Sequence, residues 1–179
     1  GLLHSLIEGQ AKNAVLAALY DPLVASAAHE AGEGAEIEVS IGANSGNPKE
    51  TPVKALFHVK ALGNGQFIGT GPFYLGCKMD LGLMALLEHK GVEVVVSSRR
   101  QQAADQAILR HLGIKPEQKQ ILALKSSVHF RADFGPLAAH IMLVESPGMN
   151  VANPRALPYK RLRAGLRIGP DEAALESRN

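Results

Sequence analysis

The chain of 179 residues contains no tryptophan, and aromatic residues make up only 4% of it, so its core must consist of leucine, valine, isoleucine and alanine. Its single cysteine, Cys77, excludes an internal disulfide framework and any cysteine-based zinc site. We expect Cys77 to be a small buried hydrophobic residue, as free cysteines usually are. No apolar run approaches the ~18 residues of a membrane span, and the first residues lack a signal-peptide pattern. We therefore expect no membrane partner and a cytoplasmic location.

The formal net charge of +2 is too small to indicate nucleic-acid binding, and no run of lysine and arginine has aromatic residues interleaved with it. Hydrophobic residues at 46% and charged residues at 20% are typical of a globular domain with a full core. The chain opens on apolar residues already at helical spacing. We expect residues 1–12 to be the end of a helix that continues from a preceding domain, and residues 171–179 to be a frayed tail. The whole of residues 1–179 is then one domain.

The first part of the chain predicts an α/β beginning. Leu2, Leu3, Leu6 and Ile7 share one helical face, and residues 13–19 form a short apolar run that suits a strand buried on both sides. Asp21 is the expected N-cap of the next helix, with Pro22 at its first position.

The middle of the chain predicts β-hairpins. Residues 36–41 alternate as a half-exposed strand does, and residues 42–52 have a loop composition. Residues 53–62 meet Gly63-Asn64-Gly65 and then residues 66–68, which predicts a hairpin because Asn-Gly supplies the positive φ of such turns. Residues 84–96 fit either a helix closed by Gly91 followed by a strand, or a hairpin, and we favour the hairpin.

Strands and helices alternate again in the last part. A buried strand at residues 92–96 precedes a helix whose apolar residues include Ala104, Ile108 and Leu112, and which stops near Gly113. A strand follows at residues 121–124. Further on we expect a helix at residues 134–139, a strand at 140–144, and a proline-rich tail. The predicted class is thus a single mixed-sheet α/β domain, with helices on the faces and a middle segment rich in β-hairpins.

Polar side chains follow two of the predicted strands. The first strand ends in Ser97-Ser98-Arg99-Arg100, and the second ends in Lys125-Ser126-Ser127, with His129 and Arg131 just beyond. A right-handed crossover would make the strands parallel and bring both ends to one edge of the sheet. Hydroxyl and guanidinium groups at helix N-termini could then receive a carboxylate or a phosphate. Alternatively, the serines are helix caps and the arginines are solvated.

No complete catalytic motif is present. The chain has no His-Glu-x-x-His, no pair of histidines at metal spacing, and its glycines at 69, 71 and 76 lack the strand–helix context of a phosphate loop. His58, in a predicted strand, is expected to be a surface histidine. Ser127, His129 and Asp133 have the residue types of a catalytic triad, but their spacing does not by itself bring them into contact, and Asp133 equally suits a helix surface.

The sequence resembles the C-terminal domain of the microcystinase C (MlrC) family of zinc metallopeptidases. The resemblance extends from about residue 21 to residue 170, and the Ser-Ser-x-His-Phe-Arg-Ala block is its most specific part. The blocks that carry it are Val92-Glu-Val-Val-Val-Ser-Ser-Arg-Arg-Gln-Gln102, Arg110-His-Leu-Gly-Ile-Lys-Pro116, Leu124-Lys-Ser-Ser-Val-His-Phe-Arg-Ala-Asp-Phe134, Pro147-Gly-Met-Asn150 and Leu157-Pro-Tyr-Lys-Arg-Leu162.

The resemblance implies a two-part enzyme that hydrolyses peptide or amide bonds of small or cyclic peptides. Its zinc and its catalytic residues would belong to a larger N-terminal domain, and this chain would hold no metal and be inactive alone. Arg131 would hold a substrate carboxylate and His129 would donate to an oxyanion or product amine. The residues expected at the shared cleft are Ser126, Ser127, His129, Arg131, Arg99 and Arg100. The alternative is a non-catalytic anion-binding or assembly module, and a homo-oligomer stays open.

Overall fold

The computed structural model describes residues 1–44, 46, 48, 50–146, 155, 157–163 and 165–167. Within them, a mixed sheet of six strands and a small sheet of two strands are accompanied by short helices, which confirms the predicted α/β class. The strands are β1 (Ala14–Tyr20), β2 (Glu36–Ile41), β3 (Val53–Gly63), β4 (Gln66–Ile68), β5 (Lys78–Asp80), β6 (Met84–His89), β7 (Val92–Ser97) and β8 (Ile121–Leu124). The helices are α1 (Leu2–Glu8), α2 (Pro22–Ala31), α3 (Ala107–Arg110) and α4 (Phe130–Phe134), with 3-10 turns at Pro116–Gln118 and Gly135–Leu137.

The large sheet has the order β2-β3-β6-β7-β1-β8. Strand β1 pairs in parallel with both β7 and β8, and the remaining pairs are antiparallel. The carboxyl ends of β1, β7 and β8 therefore lie at one edge of the sheet, which confirms the expected placement of the two Ser-Ser segments. Strand β1 lies between the other two.

The turn into α2 follows directly from the sequence. Asp21 is 3% exposed, and its carboxylate accepts the backbone N–H of Val24 at 3.3 Å, as a helix N-cap does. Pro22 occupies the first turn, where its missing N–H costs nothing. The helix stops at Gly32, whose φ of 87° suits glycine and few other residues.

Residues 84–97 form the favoured hairpin. Strand β6 pairs antiparallel with β7 from Met84 opposite Ser97 to His89 opposite Val92. The two turn residues, Lys90 and Gly91, have φ values of 53° and 87°, the pair of positive values that a type I′ turn requires. Lysine adopts a positive φ less readily than asparagine does. Lys90-Gly91 is therefore a weaker hairpin signal in the sequence than Asn-Gly would be.

The sheet carries a hydrophobic core on each face, because successive side chains along its buried strands point to opposite faces. One core packs α1 and α2 against β7 residues Val92, Val94 and Val96. The other packs α3 and α4 against Val95 and against Val15 of β1. All six side chains of β7 are buried, as expected for a strand covered on both sides.

The hairpin predicted across Gly63-Asn64-Gly65 was wrong. Strand β3 pairs with β2 and β6, whereas β4 pairs with β5 in the small sheet. Gly65 does have a positive φ of 70°, but its N–H donates to His111 Nε2 at 3.1 Å and its carbonyl accepts the N–H of Leu81. These tertiary contacts turn the chain into the small sheet instead of back along β3.

Helix boundaries in the second half also differ from the prediction. The helix predicted through Ala104 and Leu112 is reduced to the single turn of α3. Asp105, just before this turn, is buried, and its carboxylate accepts backbone N–H groups. The helix predicted at residues 134–139 lies earlier, as α4 and the following 3-10 turn.

The remaining predictions have mixed outcomes. Residues 140–144 form no strand, because no neighbouring strand pairs with them in the described part of the chain. Cys77 is exposed, so its expected burial was wrong. Much of the proline-rich tail and all of residues 171–179 lie outside the described residues. No helix among the described residues has the length and hydrophobicity needed to cross a bilayer.

Candidate functional site

The polar groups selected from the sequence lie on one edge of the sheet. We use the name rim for the carboxyl ends of the three parallel strands together with the residues that follow them: residues 20–21, 97–100 and 125–131. The rim holds all six expected site residues. They divide into a group after β8 (Ser126, Ser127, His129, Arg131) and a group after β7 (Arg99, Arg100).

The group after β8 is organised around the amide of Gln102. Its Oε1 lies 3.1 Å from Nδ1 of His129 and accepts the hydroxyl of Ser126 at 3.4 Å. Its Nε2 donates to the hydroxyl of Tyr74 at 3.1 Å. Because the carbonyl oxygen of Gln102 can only accept, Nδ1 of His129 carries the proton, and Nε2 of the same ring is the atom left for another partner.

A loop outside the sequence prediction packs against this group. The loop of residues 69–76 places the ring of Phe73 on the imidazole of His129, with ring centroids 4.0 Å apart and an interplanar angle of 18°. Tyr74 meets Phe73 edge to face at 4.7 Å. Phe73 stays 45% exposed and Leu75 73% exposed, so the loop presents apolar surface beside the imidazole.

One carboxylate, Asp105, holds the 69–76 loop in place, and a second, Asp133, lies close against it. Asp105 is fully buried and accepts the N–H groups of Gly71 and Ala107, both at 2.8 Å, and the hydroxyl of Thr70 at 3.4 Å. The carboxylate of Asp133 accepts the N–H of Gln106 at 2.6 Å. A Cβ on Gly71 would lie 2.5 Å from Asp133 Oδ2, so the backbone can approach this carboxylate only because position 71 is glycine.

Ser127 and Arg131 are exposed. The guanidinium of Arg131 lies 5.3 Å from the centroid of the Phe130 ring, and it makes no ion pair with an acidic residue of the described chain. Arg131 is therefore available to a negatively charged group from outside the domain.

The two arginines after β7 are already engaged. Arg99 forms an ion pair with Asp80 of β5. The guanidinium of Arg100 lies 4.1 Å above the ring of Tyr20, at the end of β1, and donates to the carbonyl of Asn44 at 3.5 Å. The two rim groups are thus unequal, because Arg131 has no acidic partner within the described residues, whereas Arg99 and Arg100 hold neighbouring segments.

The structure does not form a triad from Ser127, His129 and Asp133. The imidazole of His129 contacts Gln102, and the carboxylate of Asp133 serves Gln106. The two expected helix N-termini differ. No helix begins directly after Arg100, whereas α4 follows the Ser126 segment, with His129 as its N-cap and the hydroxyl of Ser126 accepting the N–H of Phe130 at 3.3 Å. Binding of an anion at this edge stays a prediction.

The described residues do not fit a metal site. No group of three or more histidine, cysteine, aspartate or glutamate side chains in that part of the chain could hold a metal ion. His129 has an amide and an aromatic ring as its neighbours, and neither supplies a second ligand of the usual kind.

A second charged cluster lies at the opposite edge of the sheet. Glu93 of β7 is 7% exposed, and its two oxygens lie 2.7 Å from Lys60 Nζ and 2.6 Å from Lys119 Nζ. Burial acts to raise the pKa of Glu93, but the hydrogen bonds from Lys119 and Lys60 outweigh it and hold the pKa below its usual value. The hydrogen bond to Glu93 raises the pKa of Lys60. This cluster joins β3 and β7 to the segment that leads into β8.

Sequence reasoning missed Gln102, Phe73 and Asp105. Glutamine and phenylalanine have no motif of their own, and the three residues lie 24 to 56 positions from His129 along the chain. The glycines at 69, 71 and 76 were a usable signal, since a close backbone approach to a carboxylate is one reason for glycine in a loop.

The domain so described is a mixed α/β sheet with a polar and aromatic rim, a class that serves many functions. Comparison with known proteins is more specific. Residues 1–161 match the family described as MlrC C-terminus, and the chain belongs to that family.

Two known proteins are similar to this chain. Microcystinase C of Sphingomonas sp. is 24% identical over 145 residues, which cover 81% of this chain and 28% of that protein. A crystal structure from Mesorhizobium sp. BNC1, of a protein provisionally named a metallopeptidase, has a TM-score of 0.79 and 24% identity. It covers 90% of this chain and 32% of that chain, so this chain spans about a third of the length of these relatives.

Proposed function

We propose that this chain is the C-terminal domain of an MlrC-like zinc metallopeptidase that hydrolyses peptide or amide bonds of small or cyclic peptides. The reaction itself is assigned to the part of the protein that precedes this domain, which would hold the zinc. No group of the described residues fits a zinc site, and the contribution proposed for this chain is to bind and orient the substrate at the rim. The cytoplasmic location expected from the sequence belongs to the same proposal.

The observation that carries the proposal is that the family-specific Ser-Ser-x-His-Phe-Arg-Ala block lies in the rim. That block follows β8, at the edge where open α/β sheets place their ligands. Three of its polar residues, Ser127, His129 and Arg131, are exposed instead of being used in the core. The family match and the length of the relatives support a catalytic partner domain in the same polypeptide.

The tautomer of His129 limits what it can do. With Nδ1–H donated to Gln102, the neutral ring presents Nε2 as an acceptor, suited to an N–H group of a substrate or a product amine. Only the protonated ring could donate to an oxyanion. Stacking on Phe73 fixes the plane of the ring and hence the direction of Nε2.

Arg131 is the group proposed to bind a substrate carboxylate. A guanidinium binds carboxylates through two parallel hydrogen bonds, and Arg131 has no competing acidic partner among the described residues. The exposed Ser127 lies four positions earlier and adds a hydroxyl to the same segment. The apolar side chains of Phe73 and Leu75 offer a surface for an apolar residue of the peptide.

The test uses the full-length enzyme and two forms of one peptide, with a free and with an amidated carboxyl terminus. Arg131→Ala is expected to lower kcat/KM for the free acid by about tenfold or more, the value of one charge-assisted contact, and to leave the amide little changed. His129→Ala should lower turnover of both forms while the unfolding midpoint stays unchanged. Arg110→Ala is the matched control, since Arg110 is similarly exposed but pairs with Glu117 away from the rim.

An anion-binding module without chemistry is the second candidate, favoured because Arg131 has no ion pair with an acidic residue in the described part of the chain. In that case the full-length protein would bind the free-acid peptide, Arg131→Ala would weaken that binding, and no hydrolysis would be detected. Unfolding of the domain by either substitution would instead mean that the block is structural, which would contradict both functions.

A further inference from the structure

Four large apolar residues in a row lie on the surface after α4. Ile141 is 39% exposed, Met142 85%, Leu143 71% and Val144 65%. A single exposed hydrophobic residue needs no explanation, but a contiguous run of this size usually marks an interaction site. We use the name apolar segment for residues 141–144.

The backbone of the apolar segment is not part of regular structure in the described part of the chain. Residues 140–146 form neither helix nor strand, and no backbone hydrogen bond connects them to the rest of the described chain. Among the described residues β8 is an edge strand, yet the segment does not pair with it. A sequence of this hydrophobicity is typical of a strand buried on both faces.

The pattern of exposure identifies the kind of partner. In a strand, successive side chains point to opposite faces, so a flat surface contact would cover only two of the four residues. All four are covered only if the segment enters a sheet or a core. This favours a permanent partner, such as another part of the same polypeptide, over a transient surface contact.

The comparisons indicate where that partner lies. The match to the family extends through residue 161, so the segment belongs to the family's domain. More than two thirds of both relatives lies outside the region matched by this chain. We infer that the apolar segment adds as a strand to the preceding domain of the full-length protein and holds the rim against it.

This inference rests on the proposed function only for the existence of a preceding domain. It does not depend on the reaction that the domain performs. The strand predicted from the sequence at residues 140–144 would then form in the full-length protein, with its neighbour supplied by the other domain.

The first test is hydrogen–deuterium exchange of the full-length protein and of the 179-residue chain, which has a hydrophobic core on each face of its own sheet. We expect the amides of residues 141–145 to exchange about a hundredfold more slowly in the full-length protein, as amides in a paired strand do. Equal, fast exchange in both proteins would overturn the inference. So would protection that develops in the 179-residue chain as its concentration rises, because a second copy would then be the partner.

The second test places charges in the apolar segment of the full-length protein. Met142→Asp together with Leu143→Asp should speed the exchange of the amides of residues 141–145 by roughly a hundredfold, since each would place a charge where apolar area is buried. Leu56→Asp is the matched control, because Leu56 is 52% exposed on β3, and it should leave the exchange of residues 141–145 unchanged. Unchanged protection in the double variant would contradict the inference.

The outcomes for the two proposals can be separated. Protection of the apolar segment in a full-length protein that hydrolyses no peptide would overturn the proposed function and leave the inference standing. Peptide hydrolysis by a full-length protein in which the amides of the apolar segment exchange fast would support the proposed function and overturn the inference.

Discussion

The imidazole of His129 stacks on the ring of Phe73 with centroids 4.0 Å apart and ring planes 18° from parallel. The two residues are on different segments, one after the edge strand β8 and one in the 69–76 loop. Their contact joins that loop to the rim and leaves Nε2 of the imidazole as the atom that can meet a ligand.

The first prediction concerns the energy of this stack. In a double-mutant cycle of the 179-residue chain, Phe73→Ala and His129→Ala should show a coupling energy of about 0.5–1.5 kcal/mol, typical of aromatic pairs. Urea unfolding of the two single variants and the double variant measures it. Phe73→Ala with His58→Ala is the control pair and should be additive, because His58 lies on β3 beside Glu36. Strict additivity for Phe73 and His129 would mean that the stack contributes nothing.

The second prediction concerns Asp105. Asp105→Ala removes the acceptor for the N–H groups of Gly71 and Ala107 in a fully buried environment. We expect a loss of about 2–4 kcal/mol in the free energy of unfolding, because at least one buried donor is left unpaired. Glu38→Ala, at an exposed ion pair with Lys54, should change it by about 0.5 kcal/mol or less. A similar small effect at Asp105 would show that the 69–76 loop does not depend on this carboxylate.

The third prediction concerns the pH dependence due to Glu93. Its folded-state pKa is held below 4.5, so the unfolded chain takes up the proton first, and the stabilisation is present above about pH 4.5 and lost as the pH falls through the lowered pKa. Glu93→Gln should therefore cost about 1–3 kcal/mol near neutral pH, the value of hydrogen bonds to charged groups.

The difference between Glu93→Gln and the unmodified chain should shrink as the medium becomes more acidic than pH 4.5. Urea unfolding at a series of pH values measures it. Glu38→Gln is the control and should differ little from the unmodified chain at any of these pH values. A difference that stays constant with pH would exclude an ionic contribution from Glu93.

The fourth prediction concerns His111. Burial lowers its pKa below 6.5, and its Nε2 accepts the N–H of Gly65 at 3.1 Å, a role that only the unprotonated atom can perform. The unfolded chain binds the proton more tightly, so stability should fall as the pH drops below 6.5 and be independent of this group above it. His111→Gln keeps an acceptor and should reduce the slope in thermal or urea unfolding. An unchanged slope would assign the acid sensitivity to other groups.

Local sequence signals predicted the fold where local interactions decide it. The N-cap at Asp21, the buried run of β7 and the turn at Lys90 and Gly91 are each specified within a few residues. The turn at Gly65 was misassigned because its outcome depends on His111, which is 46 residues away. The sequence predicted the positive φ of Gly65, but it did not predict that the turn leads into the small sheet of β4 and β5.

The candidate site shows the same division. The rim position of Ser126 and His129 follows from the order of strands and from a specific motif, so it could be predicted. The contact with Phe73 and the pinning of the 69–76 loop by Asp105 depend on packing across 34 residues or more of chain, which no short pattern specifies. Residues 140–144 have the sequence of a strand but no partner in the described part of the chain.

We propose that the reaction and the metal belong to the preceding domain, and that the 179-residue chain supplies the rim. The most direct measurement compares bound zinc and peptide hydrolysis in the full-length protein and in the 179-residue chain. We predict stoichiometric zinc and turnover in the full-length protein, and neither in the chain alone. Robust turnover by the 179-residue chain with one bound zinc would contradict the account.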